Sequence, residues 1–172
     1  RNSAAAWALN QICRHATYAS GIQYNYINNI QGKEDTAYLE PIIFPMMSTQ
    51  RMKVYSSGFQ HTRSDKFSLF LSRPELHPYL NTCLRAVGRK KGFANCGTCK
   101  KCAELLLRAE AVGAAQCVEK QFNLGEFRRQ RFFLEYKLIY NAYNKHPSEN
   151  SIDTLDFLAT HSASINPAAR IL

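Results

Sequence analysis

TCLRAVGRKKGFANCGTCKKCAELLLRAEA, Thr82 to Ala111, holds four of the chain's six cysteines. Within it Cys96, Cys99 and Cys102 form two overlapping Cys-x-x-Cys pairs. Two intervening residues allow a tight turn that brings both sulfurs to one tetrahedral ion at about 2.3 Å, and Gly97 gives that turn its freedom. Three ligands are therefore local. A structural zinc site takes a fourth, and Cys83 lies upstream across a Gly- and Lys-rich loop, Gly88 to Gly92. The set Cys83, Cys96, Cys99 and Cys102 predicts one bound zinc, with Lys100 and Lys101 offsetting part of the negative charge that four thiolates leave behind. A thioredoxin-type redox pair lacks the third cysteine at the same interval, whereas an iron-sulfur cluster shares the ligand type. Cys117 lies 15 residues, or some 20 Å of helical rise, beyond Cys102 and makes a poor ligand. His61 and His77 read as surface or loop residues, and Cys13 as a small buried hydrophobe.

Downstream of the cluster, Cys102, Leu105, Leu106, Ala109 and Val112 repeat at helical spacing and Gly113 closes the helix. A long amphipathic helix is expected from Gly125 to Asn144, with Phe127, Leu134, Leu138, Ile139 and Tyr143 amid charges that make its exposed face basic. His146 and Pro147 break it. The last helix spans Ser151 to Thr160, with Ser151 as its cap and Asp153 and Asp156 on its surface.

Upstream, Ala4 to Tyr18 reads as a helix that stops at Ser20 and Gly21, and Ile22 to Ile27 as a strand. A loop at Gly32 to Asp35 leads to a helix in which Leu39, Ile42, Ile43, Met46 and Met47 share a face and Pro41 sits in the first turn. Met52 to Tyr55 is a short strand, and Thr62 or Ser64 caps a helix running to about Arg73 with Phe67, Phe70 and Leu71 as its stripe. The alternation of helix and strand predicts a parallel sheet with helices on its faces.

Composition limits the functional classes. Residues are 45% hydrophobic and 20% charged, the profile of a folded chain. No apolar run approaches the roughly 20 residues that cross a bilayer, and the first residues lack a signal peptide's apolar core. The chain starts at Arg1 within an apparent helix, so the expectation is a natural protein that extends further upstream. Clustered cysteines suit a reducing compartment, and the expected location is the cytoplasm. A net charge of +9 suits an anionic partner such as a nucleotide or nucleic acid.

The passage from Thr82 to Ala111 resembles the C-terminal end of the 7-cyano-7-deazaguanine synthases and their relatives in the PP-loop ATP pyrophosphatase superfamily, which belong to queuosine-type biosynthesis. MMSTQRMKVYSSGFQHTRSDK, Met46 to Lys66, resembles that family's late strand and the loop leading to its next helix. The resemblance covers about residues 4 to 113. It implies the C-terminal part of a Rossmann-like, adenine nucleotide alpha hydrolase-like α/β sandwich. Residues 1–81 would belong to the PP-loop-like domain, 82–113 to a zinc-binding loop and helix, and 114–172 to a helical extension. It implies a ligase that uses ATP to adenylate a small carboxylate and passes it to a nitrogen nucleophile, with Arg63 and Lys66 near the ATP phosphates and zinc in a purely structural role. The superfamily's phosphate loop, Ser-Gly-Gly-x-Asp-Ser, does not occur in these 172 residues. The alternative expectation is a zinc-stapled basic module binding nucleic acid through Lys90, Lys91, Lys100, Lys101 and Arg128 to Arg131, or a non-catalytic interaction domain.

Overall fold

The structure, a computed structural model, describes residues 7–21, 23–24, 36–83, 92–144 and 148–161. The chain divides into two compact units, residues 1–62 and 63–172. The expected loop at Gly32 to Asp35, the basic run Arg89 to Lys91 and the His146-Pro147 break lie outside the described residues.

In the first unit, β1 (His15–Ala19) pairs in parallel with β2 (Lys53–Ser57), His15 opposite Lys53 and Ala19 opposite Ser57. Between them a 3-10 turn (Thr36–Leu39) runs into α1 (Glu40–Met46), whose Pro41 occupies the first turn as expected. A side-chain turn sets up β2. Thr49 Oγ1 accepts from the Met52 amide at 3.0 Å, and Ser48 Oγ accepts from the Val54 amide at 2.9 Å. Val54 and Ser56 alternate inward, and Phe44, Met52 and Val54 form the unit's core, with Tyr18 edge-on to Phe44 at 5.2 Å.

One expectation fails here and another lies mostly outside the described residues. Of the helix expected over Ala4 to Tyr18, the described residues are helical at Trp7 and Ala8, and His15 to Tyr18 belong to β1 instead. Thr17 and Tyr18 prefer extended backbone, and pairing with β2 satisfies the amides that a helix would have satisfied locally. Of the strand expected over Ile22 to Ile27, only Gln23 and Tyr24 are described and neither lies in a strand; the Tyr24 ring packs on Phe59 at 5.9 Å. On α1 the buried side chain is Phe44, while Ile42, Ile43 and Met46 are exposed. The chain is thus mixed α/β with a parallel strand pair among the described residues.

The second unit is helical. α2 (Arg63–Leu71) leads through a 3-10 segment (Pro74–Tyr79) to the cysteine region, and α3 (Lys100–Ala111) follows. A 3-10 turn (Ala115–Val118) leads to α4 (Leu124–Tyr143), and α5 (Glu149–His161) is the last described element. Asn123 caps α4 by accepting from the Glu126 amide at 3.0 Å. Leu106, Leu107, Val118, Phe122, Phe127, Leu134 and Leu138 form the main core around Cys96 and Cys102. Phe67, Ala109, Ala115 and Phe157 form a second cluster. No helix among the described residues is long and apolar enough to cross a membrane.

α3, α2 and α5 are also joined by buried polar groups. Arg108 is 4% exposed, donates to Asp153 Oδ2 at 2.8 Å and to Ser64 Oγ at 3.0 Å, and Ser64 donates its amide and hydroxyl to the same carboxylate oxygen. Asp153 is therefore not the surface residue its position in an amphipathic pattern suggests. Ser151 likewise does not cap: it is fully buried and donates to Glu104 Oε1 at 3.1 Å. Burial, the largest influence on Arg108, lowers its guanidinium below the ordinary value against the opposing charges of Asp153 and Glu104, and the nearby charge of Arg63 adds to the lowering.

Candidate metal centre

The four cysteines converge. One sulfur each from Cys83, Cys96, Cys99 and Cys102 lie within 4.8 Å of one another. Cys99 is 3.3 Å from Cys102 and 3.9 Å from Cys83, and Cys96 is 3.9 Å from Cys102. Thiolates each 2.3 Å from a shared tetrahedral ion stand about 3.8 Å apart, so the cluster has the dimensions of a mononuclear metal site. All six cysteines are free thiols. Cys117 is exposed and outside the cluster, as its distance along the chain predicts.

Local backbone explains the convergence of the last three ligands. Gly97 has φ +80°, and a Cβ there would meet the Asn123 carbonyl oxygen at 2.5 Å. Only glycine both takes that conformation and admits that approach. The turn aims the Cys99 amide at the Cys96 sulfur, 3.3 Å away, and Cys99 then precedes the first turn of α3, which carries Cys102 inward. Gly97→Ala is expected to cost at least about 2 kcal/mol and to weaken metal binding. Gly113, at φ +70° with open space around its α-carbon, supplies the comparison: its alanine variant meets the backbone penalty alone, about 1 kcal/mol. Equal urea midpoints for the two variants would show that the Asn123 contact is not tight.

The fourth ligand is held by Asn95, which the sequence gives no reason to single out. Fully buried, its Oδ1 accepts from the Thr82 amide at 2.8 Å and the Cys83 amide at 3.0 Å. Its Nδ2 donates to the carbonyls of Leu80 at 2.9 Å and Gln121 at 3.2 Å. Its own amide donates to Gln121, and its carbonyl accepts from Asn123. One side chain thus fixes the backbone of Cys83 against the residue before Cys96 and against the entry to α4.

Electrostatics around the sulfurs are uneven. Burial raises the Cys96 thiol, but hydrogen bonds from the Thr98 and Cys99 amides and from the Cys83 and Thr98 side chains outweigh it, and the result is about 6. Burial, only partly opposed by backbone amides, raises both Cys99 and Cys102. A cation among the four sulfurs reverses that balance, since a coordinated thiol is deprotonated outright. Lys100 does not face the sulfurs as expected: its Nζ donates to Ser148 Oγ at 2.6 Å and lies 4.0 Å from Glu104. Lys101 is exposed. The Cys99 amide donates to the Cys96 sulfur at 3.3 Å.

The remaining candidates scatter. Arg63 and Lys66 are half-buried on the first turn of α2, Arg63 close to Arg108. His77 is buried rather than on the surface, its ring packed on Phe70 at 4.8 Å with Nε2 3.2 Å from the Phe70 carbonyl. Cys13 is half-buried outside any helix. Arg131 is turned toward Glu110 at 3.1 Å and Glu135 at 2.8 Å, leaving Arg128 and Arg129 as the more exposed arginines of α4. Compared with protein-family models, with curated proteins and with solved structures, the chain matches none of them.

Proposed function

We propose that the four cysteines hold one structural zinc ion, and that the chain is the zinc-containing part of a cytoplasmic ATP-dependent ligase of the PP-loop type. The observation that carries the metal is the packing of four sulfurs within 4.8 Å at the start of α3. A polynuclear iron-sulfur cluster places its own sulfides between the thiolates and needs wider separations, so the spacing favours a single ion. Four thiolates leave no open position for water, and zinc there ties the Cys83 segment to α3 without entering the chemistry.

The ligase reading rests on the resemblance of Met46 to Lys66 and Thr82 to Ala111. It is supported by the parallel pairing of β1 with β2 and by the entry of the cysteine cluster into a helix. In this reading a carboxylate attacks the α-phosphorus of ATP, pyrophosphate leaves, and a nitrogen nucleophile displaces AMP from the acyl adenylate. Arg63 and Lys66 would offer positive charge to the phosphates.

Two measurements test these statements separately. Elemental analysis of the purified protein is expected to give one zinc per chain; iron in its place, or no metal, overturns the site. Protein expressed from the whole coding region, given ATP, small carboxylates and ammonia, is expected to release pyrophosphate and AMP in equal amounts. A coding region with no Ser-Gly-Gly-x-Asp-Ser loop upstream of Arg1 removes the ligase reading and leaves the zinc untouched.

A further inference from the structure

The outward side of α4 is unlike the solvated face of an ordinary amphipathic helix. Phe132, Phe133, Tyr136, Tyr140 and Tyr143 are 73, 57, 62, 60 and 67% exposed. Their spacing of three, four, seven, eight and eleven residues places them along one side of the helix. The opposite side carries the buried Phe127, Leu134, Leu138 and Ala142. The sequence reading assigned Tyr143 to that inner stripe; the structure assigns it to the outer one. From Phe132 to Tyr143 the rings cover about 17 Å of helix axis.

The same side is positively charged. Arg128 and Arg129 are 63 and 72% exposed at its first half, and Lys137 lies with its Nζ 5.7 Å from the Phe133 ring centroid. Glu126, bound to Arg129, marks the edge of the face; Glu135 pairs with Arg131, and Glu110 lies between Arg131 at 3.1 Å and Arg128 at 4.0 Å. Beside Lys137 the face runs into a cavity of 110 Å³ between α3 and α4, whose polar lining is Thr98, Lys100, Glu104 and Asn141.

We infer that this face of α4 binds single-stranded nucleic acid, bases stacking on the exposed rings and backbone phosphates meeting Arg128, Arg129 and Lys137. The composition of the face argues for that occupant. Its large exposed apolar side chains are all aromatic, which suits stacking on any base, and its charge, three cations with Glu126 at the edge, is positive on balance, which suits a phosphate chain. A second copy of this helix fits less well, because two such faces each carry a net positive charge. The inference is independent of the ligase reading.

Fluorescence anisotropy with labelled oligouridine and oligodeoxythymidine of about 20 nucleotides tests it on the zinc-bound protein. Binding is expected at low salt and is expected to weaken steeply as salt rises. Tyr136→Ala with Tyr140→Ala should weaken it at least about tenfold, since each stacked ring is worth about fivefold or more and two are lost. Tyr79→Ala, a ring 83% exposed in the 3-10 segment after α2, should change it less than about twofold. Lys137→Gln should lower affinity and flatten the salt dependence. The changed side chains are exposed, so unaltered zinc content and urea midpoint confirm that each variant is folded. No binding of either oligonucleotide at low salt, equal binding by the double variant, or a dimer in sedimentation that the double variant dissolves without any effect of oligonucleotide would each overturn the inference. Preference for the uridine or the thymidine probe tells RNA from DNA.

Discussion

Cys102→Ser is expected to abolish stoichiometric zinc binding and to destabilise the second unit by several kcal/mol. Cys102 is fully buried, in the first turn of α3, and belongs to the same core as Leu106, Phe122 and Phe127. Serine there removes a ligand and sets a hydroxyl among apolar neighbours, where a polar group without a partner costs about 1–3 kcal/mol by itself. The larger loss is the metal, because a site assembled only in the folded chain makes metal binding part of the folding free energy, about 10–16 kcal/mol in isolated zinc-finger peptides. A unit with its own helical core should lose a fraction of that and remain partly folded. Elemental analysis and urea unfolding of the variant read both effects. Cys117→Ser, exposed and outside the cluster, should keep full zinc and a midpoint within about 0.5 kcal/mol of the parent. Full zinc in Cys102→Ser would remove Cys102 from the ligand set.

The cysteine cluster was legible in the sequence because its chemistry is local. Two Cys-x-x-Cys spacings and one glycine constrain three sulfurs without reference to the rest of the fold, and only Cys83 had to be found across a loop. What holds Cys83 in place was not legible. Asn95 is one asparagine ahead of a cysteine, a position with no spacing signature, and its partners Leu80, Thr82 and Gln121 are identifiable only once three segments are side by side. The same limit accounts for the misassigned first helix. Ala, Leu and Ile at helical spacing up to Cys13 suggested continuity, and the parallel partner that draws His15–Ala19 into a strand lies 38 residues further on. On α4 the difficulty was different. That helix carries two apolar stripes, and spacing alone does not tell which of them meets the core.

Asp153→Ala is expected to cost about 3–5 kcal/mol, the range for removing one partner of a buried ion pair. The variant leaves the Arg108 guanidinium 4% exposed with its carboxylate gone, deprives the Ser64 amide of its acceptor and leaves the Ser64 hydroxyl only the backbone carbonyl of residue 153 at 3.4 Å. Glu104 supplies some opposing charge but is committed to Ser151 and Lys100. Arg108→Met with Asp153→Leu should recover much of that loss, because an apolar pair of similar volume avoids the desolvation of both charges. The Ser64 hydroxyl would then keep the backbone carbonyl of residue 153, 3.4 Å away, as its acceptor. Arg108 lies about 9 Å along the α3 axis from Cys102, so zinc content should stay at one equivalent throughout, and urea midpoints would report the ion pair alone. An Asp153→Ala midpoint within about 1 kcal/mol of the parent would mean that Arg108 finds water in the absence of its partner. The three-helix junction of α2, α3 and α5 would then be held by Phe67, Ala109, Ala115 and Phe157 rather than by charge.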